Sequence, residues 1–255
     1  YAKIGNKDEH ILSTLSHNLG GNSITIMCIK GFLGDYFPGY FSSVKKHLRR
    51  LGYDAQTIPV RTSSTSVENS IIIRDAVLRL PAGKKAVLIG HSKGGLDSSM
   101  ALTLFPELRN RVFGLITVQS PIGGSPIAQD FAHDPTIARF FNFALKSVLS
   151  GDPLSMQQIS YTFRRSFMSI HPWPINTIPT VCFASHTGSR LSVMWGTHKF
   201  VQYRYGAKSD GLVCPVDSFL PGSVAVELGG VDHTQSVIST AMNCKYNQGQ
   251  LIEVL

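Results

Sequence analysis

Six short apolar, β-branched runs constrain this chain more than any other feature: SITIMCI (23–29), AQTIPV (55–60), KAVLIG (85–90), VFGLITV (112–118), IPTVCFA (178–184) and SVAVEL (223–228). A strand with one face in water alternates apolar and polar residues. These runs are largely apolar on successive positions, which suits strands of a parallel sheet covered on both faces. Helical patterns lie between them. YFSSVKKHLRRLG (40–52) ends in Gly52, as a C-cap does, and TSVENSIIIRDAVLRLP (65–81) opens with a Thr65–Glu68 capping box and stops at Pro81. Strand and helix in regular succession predict a doubly wound α/β sheet. With no internal repeat or low-complexity linker, residues 1–255 read as a single domain.

One stretch interrupts the succession. Residues 126–177 hold no strand signal and carry two amphipathic patterns. The first starts at Asp134 as N-cap with Pro135 behind it, and places Ile137, Phe140, Phe141, Ala144, Leu145, Val148 and Leu149 along one side. The second sets Met156, Ile159, Phe163 and Phe167 at spacings of three and four. The segment reads as a helical insertion packed over the end of the sheet. Trp173 and Trp195 read as core residues.

Composition narrows the classes that remain. With 43% hydrophobic and 16% charged residues the chain is an ordinary globular one. No stretch reaches the roughly 18 apolar residues of a membrane span. The chain begins at Tyr1 rather than Met, so a soluble protein whose N-terminal targeting segment has been removed is the expectation. A net charge of +8, densest at Lys45–Arg50, would suit a nucleic acid or an anionic surface. Neither an aromatic-interleaved basic stripe nor zinc-finger spacing accompanies it, so a solvated helix face is expected and nucleic acid is not. The four cysteines, Cys28, Cys182, Cys214 and Cys244, form no CxxC pair, and no metal site is expected. Cys28 and Cys182 read as core residues of strands, and a Cys214–Cys244 bridge is left open.

The chemistry-bearing segment is Gly90-His91-Ser92-Lys93-Gly94, which fits G-x-S-x-G between the apolar AVLI and the helical GGLDSSMALTL. A serine on a sharp strand-to-helix turn is held exposed, and glycine neighbours let the chain make that turn. A serine hydroxyl needs a base, and the base an orienting acid, both downstream in the order Ser, Asp, His. Of the nine histidines, His233 alone follows the last strand and precedes a helix, in VDHTQSV. The acid is read as Asp210, in the turn SDG, with Asp217 and Asp232 as rivals. An oxyanion would need two amides. One is that of Lys93, after the nucleophile, and the other is that of Phe32, behind Gly31 in the loop after the first core strand.

These residues resemble the α/β-hydrolase superfamily, and within it lipase-like and esterase-like serine hydrolases. GHSKGGLDS looks like their nucleophile elbow, QSPIGGSPIAQD (119–130) their segment after the next strand, and SDGLV and VDH their acid and histidine segments. Where lipases usually carry His-Gly, this chain has Lys30-Gly31. The resemblance implies an α/β-hydrolase fold with helices on both faces of a mostly parallel sheet, the triad Ser92, Asp210 and His233, and a lid formed by residues 126–177. The apolar insertion suggests a hydrophobic acyl ester as substrate and the basic surface a membrane or lipid-droplet surface as partner, and no cofactor is expected. A thioesterase, a phospholipase and a slow-turnover protein holding a small apolar ligand are the alternatives.

Overall fold

All six apolar runs form strands and all six lie parallel in one sheet of order β2-β1-β3-β4-β5-β6. The strands are β1 (Ile24–Ile29), β2 (Asp54–Thr57), β3 (Lys85–His91), β4 (Val112–Val118), β5 (Thr180–His186) and β6 (Val224–Gly229). Among the described residues eight α-helices accompany them: α1 (Ser42–Arg50), α2 (Ser66–Leu78), α3 (Lys93–Leu104), α4 (Pro126–His133), α5 (Pro153–Gln157), α6 (Tyr161–Ile170), α7 (Trp195–Tyr205) and α8 (Gln248–Glu253). The computed structural model describes residues 23–136, 139, 153–239, 244 and 246–255.

The period of two along each strand explains why the runs had to be apolar throughout. Met27 and Ile29 of β1, Leu88 of β3 and Leu115 of β4 enter one core with Ile73 and Val77 of α2 and Leu102 of α3. Their neighbours Ile26, Cys28, Ile89 and Val118 enter a second core on the other face, with Val44 and Leu48 of α1 and Ile252 of α8. Each fully buried side chain of this kind contributes roughly 1.5–3 kcal/mol. β6 departs from the expectation of a strand covered on both faces. It is one edge of the sheet, β2 with Ala55 alone buried being the other; every residue of β6 is exposed or half-exposed, and of these Val226 and Leu228 lean on the second core.

The chain enters at β1, adds β2 on one side, then crosses over to build β3 to β6 on the other. The sense of winding therefore reverses between β1 and β3, and the crevice beyond the carboxyl ends of these strands is where open α/β sheets bind their ligands. The loops leaving β1 and β3 are those that carry Gly31 and Ser92.

The Thr65–Glu68 capping box forms in full. The Thr65 hydroxyl accepts from the Glu68 amide at 3.2 Å, and the Glu68 carboxylate accepts from the Thr65 amide at 3.1 Å. The basic face of α1 is only partly solvated, since Lys45 donates to Thr57 Oγ1 at 2.8 Å and Arg49 to the Ala55 carbonyl at 2.6 Å.

Within 126–177 the apolar positions from Ile137 to Leu149 lie outside the described residues, although the Asp134 carboxylate does accept from the Thr136 amide at 2.9 Å, as an N-cap would. The second amphipathic pattern is two helices instead of one. Ser160 adopts an extended backbone and its hydroxyl accepts from the Phe163 amide, so it starts α6 afresh and ends the run through α5. Met156, Ile159 and Phe167 still share a face, packed with Ala128 of α4 on Leu96 and Met100 of α3. Trp173 packs on the core as expected, whereas Trp195 opens α7 and is 38% exposed. All four cysteines are free thiols, which removes the Cys214–Cys244 bridge. Among the described residues no helix is long and apolar enough to cross a membrane, and no cluster of side chains could hold a metal ion.

Candidate active site

Ser92 stands between β3 and α3 with φ 53° and ψ −128°. A non-glycine residue in such a region costs on the order of 1–3 kcal/mol, which the surroundings must over-determine. They do: the Ser92 amide donates to the Val118 carbonyl of β4 at 2.8 Å. The flanking glycines serve another purpose than the turn itself, since neither has a positive φ. A Cβ on Gly90 would collide with the backbone of Gly94 and Gly95, and one on Gly94 with the carbonyls of Ile29 and Lys30. The glycines let α3 start hard against β1 and β3, with its first turn beside the serine.

His233 comes from the turn after β6 and Asp210 from the loop after α7. Asp210 is 1% exposed. One of its carboxylate oxygens accepts the amides of Leu212 and Val213, both at 2.9 Å, and the other accepts from His233 Nδ1 at 2.8 Å. Because a carboxylate only accepts, Nδ1 carries the ring proton and Nε2 is left as an acceptor. The Ser92 hydroxyl donates to that Nε2 at 2.8 Å. The loops are tied by the backbone as well, with the His233 amide donating to the Asp210 carbonyl at 3.0 Å. His198, on α7, sits with Nδ1 3.2 Å from the Ser209 carbonyl and steadies the segment leading into Asp210.

The rival aspartates are occupied elsewhere. Asp217 accepts from the Tyr161 hydroxyl at 2.7 Å, joining α6 to the loop after α7, and burial raises its carboxyl above the ordinary value. Asp232 caps the turn that carries His233: one oxygen accepts the amides of Thr234 and Gln235 at 2.9 and 3.2 Å, and the other the Ser192 hydroxyl at 2.7 Å.

Of the two anticipated oxyanion residues, Lys93 directly follows the serine and Phe32 follows Gly31, which packs against it. Lys93 is the first residue of α3, where the leading amides of a helix have no intrahelical partner. Its side chain turns away into the α2–α3 interface, pairing with Asp97 at 2.8 Å while Asn69 donates to the same carboxylate at 2.8 Å. Phe32 follows Gly31, and Gly31 admits no side chain. A Cβ there would stand 2.8 Å from Ser92 Cβ and 2.9 Å from the Tyr40 hydroxyl. Lys30, before Gly31, pairs with Asp35 at 3.2 Å.

Sequence reading missed Gln119. It follows β4 with φ 49°, is fully buried, and donates to Ser185 Oγ at 2.5 Å and to the Asp232 carbonyl at 3.0 Å while accepting from Ser236. It clamps the His233 turn from both sides. A glutamine directly after an apolar strand was the one available signal.

No protein-family profile and no curated protein sequence matches the chain. Solved structures do match. A metagenomic carboxyl esterase superimposes with a TM-score of 0.77 at 22% identity, over 91% of this chain and 74% of that one. A Bacillus licheniformis lipase in its mature form gives 0.70 at 20% identity, over 90% and 89%. A phospholipase from Legionella pneumophila gives 0.63 at 12% identity, over 90% and 59%. At these identities the likeness establishes architecture, and the architecture is the α/β-hydrolase fold.

Proposed function

Because the chain has the α/β-hydrolase fold, we propose that it is a serine carboxylester hydrolase with Ser92 as nucleophile, His233 as base and then acid, and Asp210 as the orienting carboxylate. The observation that carries this reading is the unbroken hydrogen-bonded line from Ser92 Oγ through His233 to Asp210, assembled from three separate loops.

Ser92 Oγ attacks the acyl carbonyl as its proton passes to His233 Nε2, and Asp210 stabilises the imidazolium without taking the proton. The carbonyl oxygen becomes an oxyanion between the amides of Phe32 and Lys93, each worth about 3 kcal/mol of barrier. The leaving alkoxide takes the proton from Nε2 and departs as the alcohol. Water then attacks the acyl-enzyme, gives its proton to Nε2, and the acid leaves as that proton returns to Ser92.

The substrate is a hydrophobic acyl ester, presented at a lipid surface. Residues 126–177 are its lid within a single domain of residues 1–255: α5 and α6 expose Leu154 and Ile170 while Tyr161, through Asp217, anchors the segment beside the acid loop. Turnover of p-nitrophenyl esters of increasing acyl length tests the reading. The wild type should turn over with a preference for longer chains, and Ser92→Ala should lose on the order of 10⁶ in kcat. A folded wild type without turnover on any ester would move the assignment to a protein that holds a small apolar ligand.

A further inference from the structure

Behind the proposed catalytic line runs a second series of hydrogen bonds. The Gly31 amide donates to the Tyr40 hydroxyl oxygen at 2.9 Å, that oxygen lies 2.5 Å from His91 Nδ1, and His91 Nε2 lies 2.9 Å from the His233 carbonyl. A carbonyl only accepts, so the His91 proton is on Nε2, and Nδ1 must accept from Tyr40. Every bond therefore points the same way: Gly31 N–H to Tyr40, Tyr40 O–H to His91, His91 N–H to the His233 carbonyl.

Both members are buried, Tyr40 at 7% and His91 at 2% exposure. The two segments they join also meet through the backbone, where the Phe41 amide donates to the Val237 carbonyl at 2.8 Å and Tyr40 pairs with Ile238 in an isolated antiparallel bridge. The groups facing the His91 ring are Tyr40 from the loop after β1, His233 from the loop after β6 and Gln119 from just after β4. None is permanently charged. Burial and the neighbouring His233 hold His91 well below the usual histidine range, and burial pushes the Tyr40 hydroxyl up. Both remain neutral, the state in which the Tyr40 hydroxyl donates to His91 Nδ1.

We infer that Tyr40 and His91 are positioning residues for the proposed hydrolysis, locking the Gly31–Phe32 oxyanion loop and the His233 loop into one register on either side of Ser92. The inference rests on the hydrolase reading. Neither residue is placed to touch the reacting atoms; each acts through a loop that carries one of them. The tolerance is narrow, since oxyanion donors work at about 2.7–3.1 Å and a displacement of about 1 Å can cost roughly 100-fold. The position between glycine and serine in the elbow is thus assigned a task, which only a residue that donates to the His233 carbonyl can perform.

The test uses the wild type, Tyr40→Phe, His91→Phe, His91→Gln and the Tyr40→Phe/His91→Phe double variant, with kcat and KM on one p-nitrophenyl ester, melting temperatures, and nitrogen NMR of the histidine rings. In the wild type the His91 ring should remain the neutral Nε2–H form at pH 6.5, where a free imidazole is half protonated. Tyr40→Phe should lower kcat about 10-fold and His91→Phe roughly 100-fold, with KM little changed. His91→Gln, whose amide can donate to the same carbonyl, should recover most of that loss, and the double variant should be no worse than His91→Phe because the chain acts as one unit. Losses that multiply in the double variant, losses that follow melting temperature alone, or a His91 ring that titrates in an active enzyme would overturn the inference. An inert wild type that nonetheless shows the Nε2–H ring would overturn the hydrolase reading, and the positioning role with it.

Discussion

Asp210 gives one carboxylate oxygen to the backbone and the other to the imidazole. Asp210→Asn keeps an oxygen for the Leu212 and Val213 amides, so the loop should fold. Its amide would face Nδ1 as a donor, favour the ring form protonated on Nε2, and leave the Ser92 hydroxyl without an acceptor. The expected loss is roughly 10⁴ in kcat. Asp217→Asn, whose carboxylate serves Tyr161, should stay within about tenfold of the wild type on the same ester. Equal losses in the two variants would contradict the assignment. Three aspartates were open in the sequence because spacing cannot tell a carboxylate that accepts from an imidazole from one that caps a turn. The serine and the histidine were legible because position alone singles them out: one closes an apolar strand before a helix, the other follows the last strand. The contacts of His91 were not legible, because its partners Tyr40 and the His233 carbonyl lie 51 and 142 residues away.

At the scale of elements, the capping box of α2 is the feature whose energy is simplest to isolate. Thr65→Ala removes the acceptor for the Glu68 amide at the start of α2 and leaves the Asn69–Asp97–Lys93 contacts between α2 and α3 in place. It should lower stability by about 1 kcal/mol in urea unfolding, with kcat unchanged. A loss below about 0.3 kcal/mol would show that the box adds nothing beyond helix propensity. The strands were legible for a simple reason, because a strand covered on both faces has no polar positions to hide its pattern. β6 carries the same pattern at one edge of the sheet, so composition announced the strand but not its exposure. The run from Met156 to Phe167 failed as a single helix because the spacing of three and four continues across Ser160, whose cap restarts the helix while the apolar face carries on.

For the whole molecule, the buried neutral His91 couples folding to pH. Its folded value lies well below the unfolded 6.5. Between the two the unfolded chain binds a proton that the folded chain does not, so stability is complete above about pH 6.5 and declines as pH falls below it, by up to about 1.4 kcal/mol per pH unit. Asp217 has the opposite sign, since its raised carboxyl favours the folded state as pH falls toward the unfolded 3.8. Melting temperatures from about pH 7.5 to 5 should fall for the wild type and fall less steeply for His91→Gln. Identical slopes would mean that His91 is protonated in the folded chain.

If Ser92 is an activated nucleophile, it reacts covalently with an electrophilic phosphonate. Wild type and Ser92→Ala would be incubated with a fluorophosphonate, the intact masses measured and the adduct mapped to its peptide. The wild type should gain one phosphonyl group per chain, on Ser92, and the variant none. A folded wild type that stays unlabelled, or a variant labelled at the same rate, would contradict the assignment of Ser92.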